Sequence, residues 1–293
     1  MAVLAGPALS IAGSGFEQAK KLTEAALESS GDRLVHVRLD QRKQGIIAHV
    51  TINNARHLNA MNSALMEAFV DVMAQLATDE RLRAVVLTGA GRKAFIVGAD
   101  IDEMAAIESA AQATVFITRL HRCCDAIRDL PVPVIARIQG FTFGAGLEIA
   151  AACDVRIAAD AALFGMPEVK LGIPWVIEAA LLPMLVGWGR AREIMLLGET
   201  FTANEALEWG LVERVVPAAA LGEAIEAWIG RLLTSMPRAV RLQKRLIRQW
   251  EGLPLAAAIQ AGIEAFARAY ETDEPAVAMR EFLATQKARK KTG

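Results

Sequence analysis

Four short apolar runs, separated by stretches of helical periodicity, constrain this chain more than any other feature. Ile46–Ile52, Ala84–Thr88, Val132–Ala136 and Asp154–Ala158 each have the length and apolar, β-branched content of a single strand. Helix patterns lie between them. Asn62 caps one helix to about Thr78, with Leu65, Phe69, Val72 and Leu76 on one face, and a longer helix covers roughly Ser109–Leu130. Another opens over Gly144–Ala152. Strands that alternate with helices need crossover connections, so a largely parallel α/β sheet is expected. Val35–Leu39 alternates and adds a strand at the front. From about Gly187 the strand patterns nearly vanish. Thr202 with Glu205 forms a capping-box pattern, and helices follow over Leu221–Leu233, Pro237–Trp250, Leu255–Tyr270 and Pro275–Lys287. The expected division is an extension over 1–32 with one modest helix (Phe16–Ser29), an α/β core over 33–217, and a helical region over 218–293.

Of the 293 residues 54% are hydrophobic, ample for a large core. The 32 basic and 33 acidic side chains nearly cancel, so nothing calls for nucleic acid or an anionic membrane as the main partner. Cys123, Cys124 and Cys153 have no metal-ligand spacing with the histidines. No metal site is expected, and the thiols read as reduced, in a cytoplasmic protein. Met1–Gly15 lacks the basic start of a signal peptide. The apolar run Trp175–Trp188 is broken by Glu178 and Pro183 and is too short for a bilayer.

Glu148 and Glu168 each follow a glycine-rich turn in apolar sequence, with only Arg156 and Lys170 as nearby cations. Buried carboxylates without partners are costly, so such a pair marks a site. Apolar surroundings also push paired pKa values apart, which suits one group as acid and the other as base. Two turns could complete the chemistry. In the first, Gly98 lets the chain bend, and Asp100 with Glu103 has capping-box spacing, leaving the Ala99 N–H beside a helix start. In the second, Phe143-Gly144-Ala145-Gly146 puts the Ala145 N–H at a helix N-terminus. Two such N–H groups can form an oxyanion hole. Each turn alone is equally an ordinary strand-to-helix connection.

Together these segments resemble the crotonase (enoyl-CoA hydratase/isomerase) superfamily over about residues 34–289. Thr51-Ile52-Asn53 through Asn62 looks like its opening motif. Ala94-Phe95 with Gly98–Ile101 looks like its first oxyanion loop, Gln139–Glu148 with Cys153-Asp154 like the second, and Phe164–Glu168 with Leu171-Gly172 like the segment bearing the second acid. The resemblance implies a spiral of ββα turns whose C-terminal helices pack as a homotrimer or homohexamer. It implies an acyl-CoA substrate, with no separate cofactor. Ala99 and Ala145 would hold the thioester oxygen. Glu148 and Glu168 would be the acid/base pair of a hydratase, with Glu168 as the proton donor. Arg56, Ala60, Val97, Gly98, Asp100, Ile101 and, from the last helix, Lys287 would approach CoA, with Phe282 beside that stretch.

The sequence departs from the hydratase pattern after Glu168. Gly172-Ile173-Pro174-Trp175-Val176-Ile177-Glu178 lacks the usual glycines. Pro174 could start a helix. Trp175 could reshape the acyl pocket. Glu178 reads as solvent-facing or paired with Arg190 or Arg192. Asp102 stands where relatives often have a lysine. His121 reads as a helix-surface residue. An isomerase or CoA-thioester hydrolase remains the main rival. The basic series Arg238, Arg241, Lys244, Arg245, Arg248 keeps an RNA-binding alternative open. A dinucleotide fingerprint at Gly144–Gly146 fails at Ile149.

Overall fold

The computed structural model describes residues 33–292, with side chains to 287. The extension and its expected helix over Phe16–Ser29 lie outside the described residues. Strands β1 (Val35–Arg42) and β2 (Gly45–Ile52) form an antiparallel hairpin in unbroken register from Val35↔Ile52 to Arg42↔Gly45. β2 pairs in parallel with β3 (Leu82–Gly89), β3 with β5 (Val134–Ile138), β5 with β7 (Val155–Ala159) and β7 with β10 (Arg214–Val216). A second sheet takes β4 (Ala94–Ile96), β6 (Phe141–Phe143), β8 (Leu163–Gly165) and β9 (Thr200–Thr202), only the last pair antiparallel. Three successive passes, β3–β4, β5–β6 and β7–β8, therefore give one strand to each sheet before turning into a helix or a 3-10 turn. That is the ββα spiral the motifs implied.

Burial explains why the long strands were legible and the short ones were not. β3 and β5 are buried almost throughout, as parallel strands covered on both faces are, and they read as continuous apolar runs. Strands β4, β6, β8, β9 and β10 are three residues each, too short for any periodicity to show. Alternate residues of the larger sheet face two cores. Ile47, Ala84, Val86, Ile135 and Ile157 meet Leu221, Ile225 and Ile229 of the helix Leu221–Leu232. The opposite face packs into the main core with Leu65, Phe69, Leu120, Leu147 and Phe164.

Helix α1 (Ser63–Ala77) starts as expected, with the Asn62 side chain accepting the Leu65 N–H at 2.9 Å. Its buried face is Leu65, Met66, Phe69 and Met73, so Val72 and Leu76 sit at its edge, half-buried. Then come α2 (Ile101–Ala105), α3 (Ala110–Arg128), α4 (Ala145–Ala152), α5 (Leu182–Leu197) and α6 (Ala203–Glu208), the last opened by the expected Thr202–Glu205 capping box. The chain ends in α7 (Leu221–Leu232), α8 (Pro237–Trp250), α9 (Leu255–Ala269) and α10 (Glu274–Thr292). No helix among the described residues is long and apolar enough to cross a membrane.

Four of the five cations in the α8 series face protein acceptors; Arg245 is exposed. Lys244, buried, donates to the Ile127 and Val132 carbonyls and to Asp154 Oδ2 at 2.7–2.9 Å. Arg238 pairs with Glu271, and Arg248 with Asp125. Arg241 reaches the carbonyls of Asp79, Glu80 and Leu82.

Candidate active site

The two glycine turns meet. Gly144 precedes α4 with φ 59°, the left-handed region that favours glycine. A Cβ there would lie 2.3 Å from Glu168 Oε1 and 3.3 Å from the Gly98 Cα. Gly98, at φ 125°, is the other half of the contact: a Cβ on it would stand 4.0 Å from the Ala145 nitrogen. The helix start, the first turn and the Glu168 carboxylate thus share one small space.

Two main-chain donors lie at this junction. Ala145 is the first residue of α4, so its N–H has no partner within the helix. Ala99 is bridged to Met61, yet the bonds run through its neighbours: Met61 N–H to the Gly98 carbonyl at 2.9 Å, and Asp100 N–H to the Met61 carbonyl at 3.0 Å. The Ala99 N–H therefore takes no part in the bridge. Asp100 caps α2 by accepting the Glu103 N–H at 3.0 Å. The reciprocal half of the expected capping box is not made. Glu103 instead accepts from the Ser63 N–H and Oγ at 2.9 and 2.8 Å, tying α2 to the start of α1.

Glu148 lies within α4, buried, and its Oε1 has no hydrogen-bond partner. Glu168 sits in the 3-10 turn Pro167–Leu171, half-buried, with its Oε2 likewise unpartnered. Neither neighbouring cation serves them. Arg156 is spent on Glu213 and on the carbonyls of Cys153 and Leu211, and Lys170 points to solvent. Burial, reinforced by the nearby Glu168 charge, holds the Glu148 carboxyl well above the usual carboxylate range, against the pull of the Ala179 N–H. Burial pushes Glu168 up to about 7, opposed by a bond from its own N–H. Ionising both would place two charges together in a poorly solvated space, so the pair keeps one proton near neutrality. One base beside one acid is what proton-coupled addition needs.

The residues expected to approach CoA divide into two groups. Ala60, Val97, Gly98, Asp100 and Ile101 gather around the first turn, because the Met61–Ala99 bridge carries residue 60 to it. Arg56, in the exposed 3-10 turn Ala55–His57, and Lys287, on the exposed face of α10, have no hydrogen bond or ion pair among the described residues. Asp102 is exposed, as is Phe282.

The segment after Glu168 differs from expectation. Pro174 starts no helix. Ile173–Val176 is irregular, a 3-10 turn covers Ile177–Leu181, and Pro183 takes the first turn of α5 instead. Trp175 is half-buried, and its Nε1 is without a partner. Glu178 is neither solvent-facing nor paired with Arg190 or Arg192. It is 7% exposed, and its carboxylate holds His121 Nδ1 at 3.0 and 3.2 Å. His121 is correspondingly more than a surface residue, because its Nε2 also meets Asp125 Oδ2 at 3.0 Å. Arg190 pairs with Glu193 and lies over Trp209; Arg192 lies over Trp188. A carboxylate in an apolar run was the sequence signal for Glu178. Its partner, 57 positions earlier, was beyond local reading.

Comparison with known proteins shows the family. The family model described as enoyl-CoA hydratase/isomerase matches residues 42–291. The short-chain-enoyl-CoA hydratase of Clostridium acetobutylicum is 36% identical over 246 residues, covering 84% of this chain and 94% of that protein. The crotonyl-CoA hydratase of Syntrophomonas wolfei is 34% identical over 247 residues, 84% and 95% of the two chains. Among solved structures, an enoyl-CoA hydratase from Mycobacterium smegmatis superposes with a TM-score of 0.81 at 30% identity, over 87% of this chain and 97% of that one. The chain belongs to the enoyl-CoA hydratase/isomerase family, the crotonase superfamily.

Proposed function

We propose that this protein is an enoyl-CoA hydratase, adding water across the 2,3 double bond of a 2-enoyl-CoA thioester. One observation carries this reading. Two glutamates without a cation, the buried Glu148 and the half-buried Glu168, stand at a junction of two turns whose Ala99 and Ala145 N–H groups are left unused. The thioester oxygen is held by those N–H groups, which stabilise the enolate as it forms. Water is held between the carboxyl groups and adds at C3 as Glu148 takes its proton. Glu168, which leans on the turn that holds the carbonyl, delivers a proton to C2. CoA is part of the substrate and no further cofactor is required. The main chain of Val97 and Gly98, with Ala60, Asp100 and Ile101, lines the approach, and Arg56 and Lys287 supply charge for the phosphates.

The names of the relatives support the substrate class, and two retained glutamates favour hydration over a double-bond shift, which needs one base. Glu178, a third buried carboxylate, is the observation that favours a sister reaction such as thioester hydrolysis. An RNA-binding role is disfavoured because α8 directs all of its series but Arg245 to partners within the protein. The chain assembles as a homotrimer or homohexamer in this reading. Leu255, Ile259, Ile263, Phe266 and Tyr270 follow helical spacing along α9 and are 53–77% exposed, a face that a second copy would cover. Three buried, unpaired thiols suit a reducing compartment, the cytoplasm.

The test is loss of the enoyl-thioester absorbance of crotonyl-CoA, run beside Glu148→Gln and Glu168→Gln. Rapid loss abolished by either change is expected. No loss in a protein that still binds CoA esters would assign the site to another acyl-CoA reaction.

A further inference from the structure

Glu178 has no role in the reaction as described, yet the chain strains to bury it. Ile177, immediately before it, adopts φ 41°, a strained conformation that a β-branched residue rarely takes. The strain turns residue 178 inward, where His121 meets it with one ring nitrogen while the other meets Asp125. Each of the two carboxylates meets its own nitrogen of the one ring, so both imidazole nitrogens are engaged. The arrangement is a clamp. The far side of Glu178 faces the site: the 3-10 turn Ile177–Leu181 packs on α4, the N–H of the next residue, Ala179, reaches Glu148, and the Cys124 thiol lies against Glu178.

We propose that Glu178, clamped by His121, is a positioning residue for the Glu148–Glu168 pair: its fixed negative charge strengthens the pair's hold on its proton. The inference rests on the hydratase reading for its kinetic consequence, though not for the electrostatic one. A third carboxylate held beside two others disfavours their ionisation. His121 supplies that hold, and Asp125, itself paired with Arg248, keeps the ring oriented. The other titratable groups facing the turn are Cys124 from α3, Glu148 from α4 and, beyond it, Glu168. α5 turns Arg190 away to Glu193 and Trp209.

The experiment compares the wild-type protein with Glu178→Gln, Glu178→Asp, His121→Gln and the Glu178→Gln/His121→Gln double variant. Two readouts are followed against pH: the rate of crotonyl-CoA hydration, and the infrared band of the pair's protonated carboxyl, identified as the band that Glu148→Gln or Glu168→Gln removes. In Glu178→Gln both the rate profile and the band titration are expected to move to lower pH by about one unit, in kcat rather than KM. Glu178→Asp should restore most of the shift. His121→Gln should shift in the same direction, because the carboxylate is no longer held against the site, and the double variant should shift no further than Glu178→Gln alone. A uniform loss of rate at every pH with an unmoved band would make Glu178 merely structural and overturn the proposal. Additive shifts in the double variant would overturn the clamp. A band that shifts in a protein without hydratase activity would sustain the electrostatic link and defeat the hydratase reading instead.

Discussion

Glu168 Oε1 occupies the space where a Cβ on Gly144 would stand, 2.3 Å from that position. The carboxylate and the turn that starts α4 are thus mutually dependent. Gly144→Ala would meet both the carboxylate and the left-handed φ of 59°. We expect the fold to survive at a cost of about 1–3 kcal/mol. Hydration of crotonyl-CoA should fall at least about 100-fold as Glu168 and the Ala145 N–H are displaced together. Steady-state kinetics alongside a urea melt would show it, and unchanged kinetics would mean the turn is not part of the machinery.

Glu148→Gln and Glu168→Gln should each lower kcat by about 10²–10⁴-fold and leave KM nearly unchanged, because each removes a proton-transfer group and keeps the shape. In the proposed mechanism the two act as a unit on one water, so the double variant should be scarcely worse than the poorer single. Multiplicative losses would show that the carboxylates serve independent steps.

How far this site could be read in the sequence depended on distance along the chain. Glu148, Glu168, Ala99 and Ala145 were legible because each lies in its own short motif: a helix start, a glycine turn, an acid in apolar sequence. The α1 cap and the β3 and β5 runs were legible for the same reason, since burial on both faces leaves an unbroken apolar string. The second sheet was not, because three-residue strands carry no period. His121 was misjudged on helical context alone; its partner Glu178 comes from a segment brought beside it only by the spiral. Glu103 had the right spacing for a capping box, but Ser63, at the start of another helix, offered it two donors instead of one.

The raised carboxyl of Glu168 makes folding stability depend on pH in a definite direction. Its ordinary value is 4.5, and in the folded protein it rises to about 7. Between these values the folded protein holds a proton that the unfolded chain has lost. Stability contributed by this group is therefore full below about pH 4.5 and falls as pH rises through about 7. Glu168→Gln removes the penalty and should gain up to on the order of 3 kcal/mol at pH 8 relative to its effect at pH 4. Urea midpoints at the two pH values would measure it. An equal effect at both would mean the carboxyl titrates normally.

Ala145→Pro tests the proposed oxyanion donor. Proline lacks the N–H, yet its fixed φ suits the first position of a helix, and the preceding residue is glycine, which tolerates the restriction proline imposes. The helix should persist by circular dichroism, with kcat reduced by about 10²–10³-fold. Retained activity would remove Ala145 from the site.

Lys244 pins α8 to the core by satisfying two carbonyls and Asp154 from a buried position. Its Coulombic contribution alone need not be large, since burying an ammonium costs several kcal/mol of solvation. Removing it is a different matter. Lys244→Met leaves the Ile127 and Val132 carbonyls unpaired and Asp154 without its cation, so a loss of roughly 3 kcal/mol is expected. The exposed Arg245, one position along, provides the contrast. Arg245→Ala should change stability by less than about 0.5 kcal/mol. If the series were instead an RNA footprint, Arg245→Ala would weaken binding of a single-stranded RNA probe while leaving the urea midpoint alone. With the other cations engaged internally, we expect no salt-sensitive RNA binding to lose.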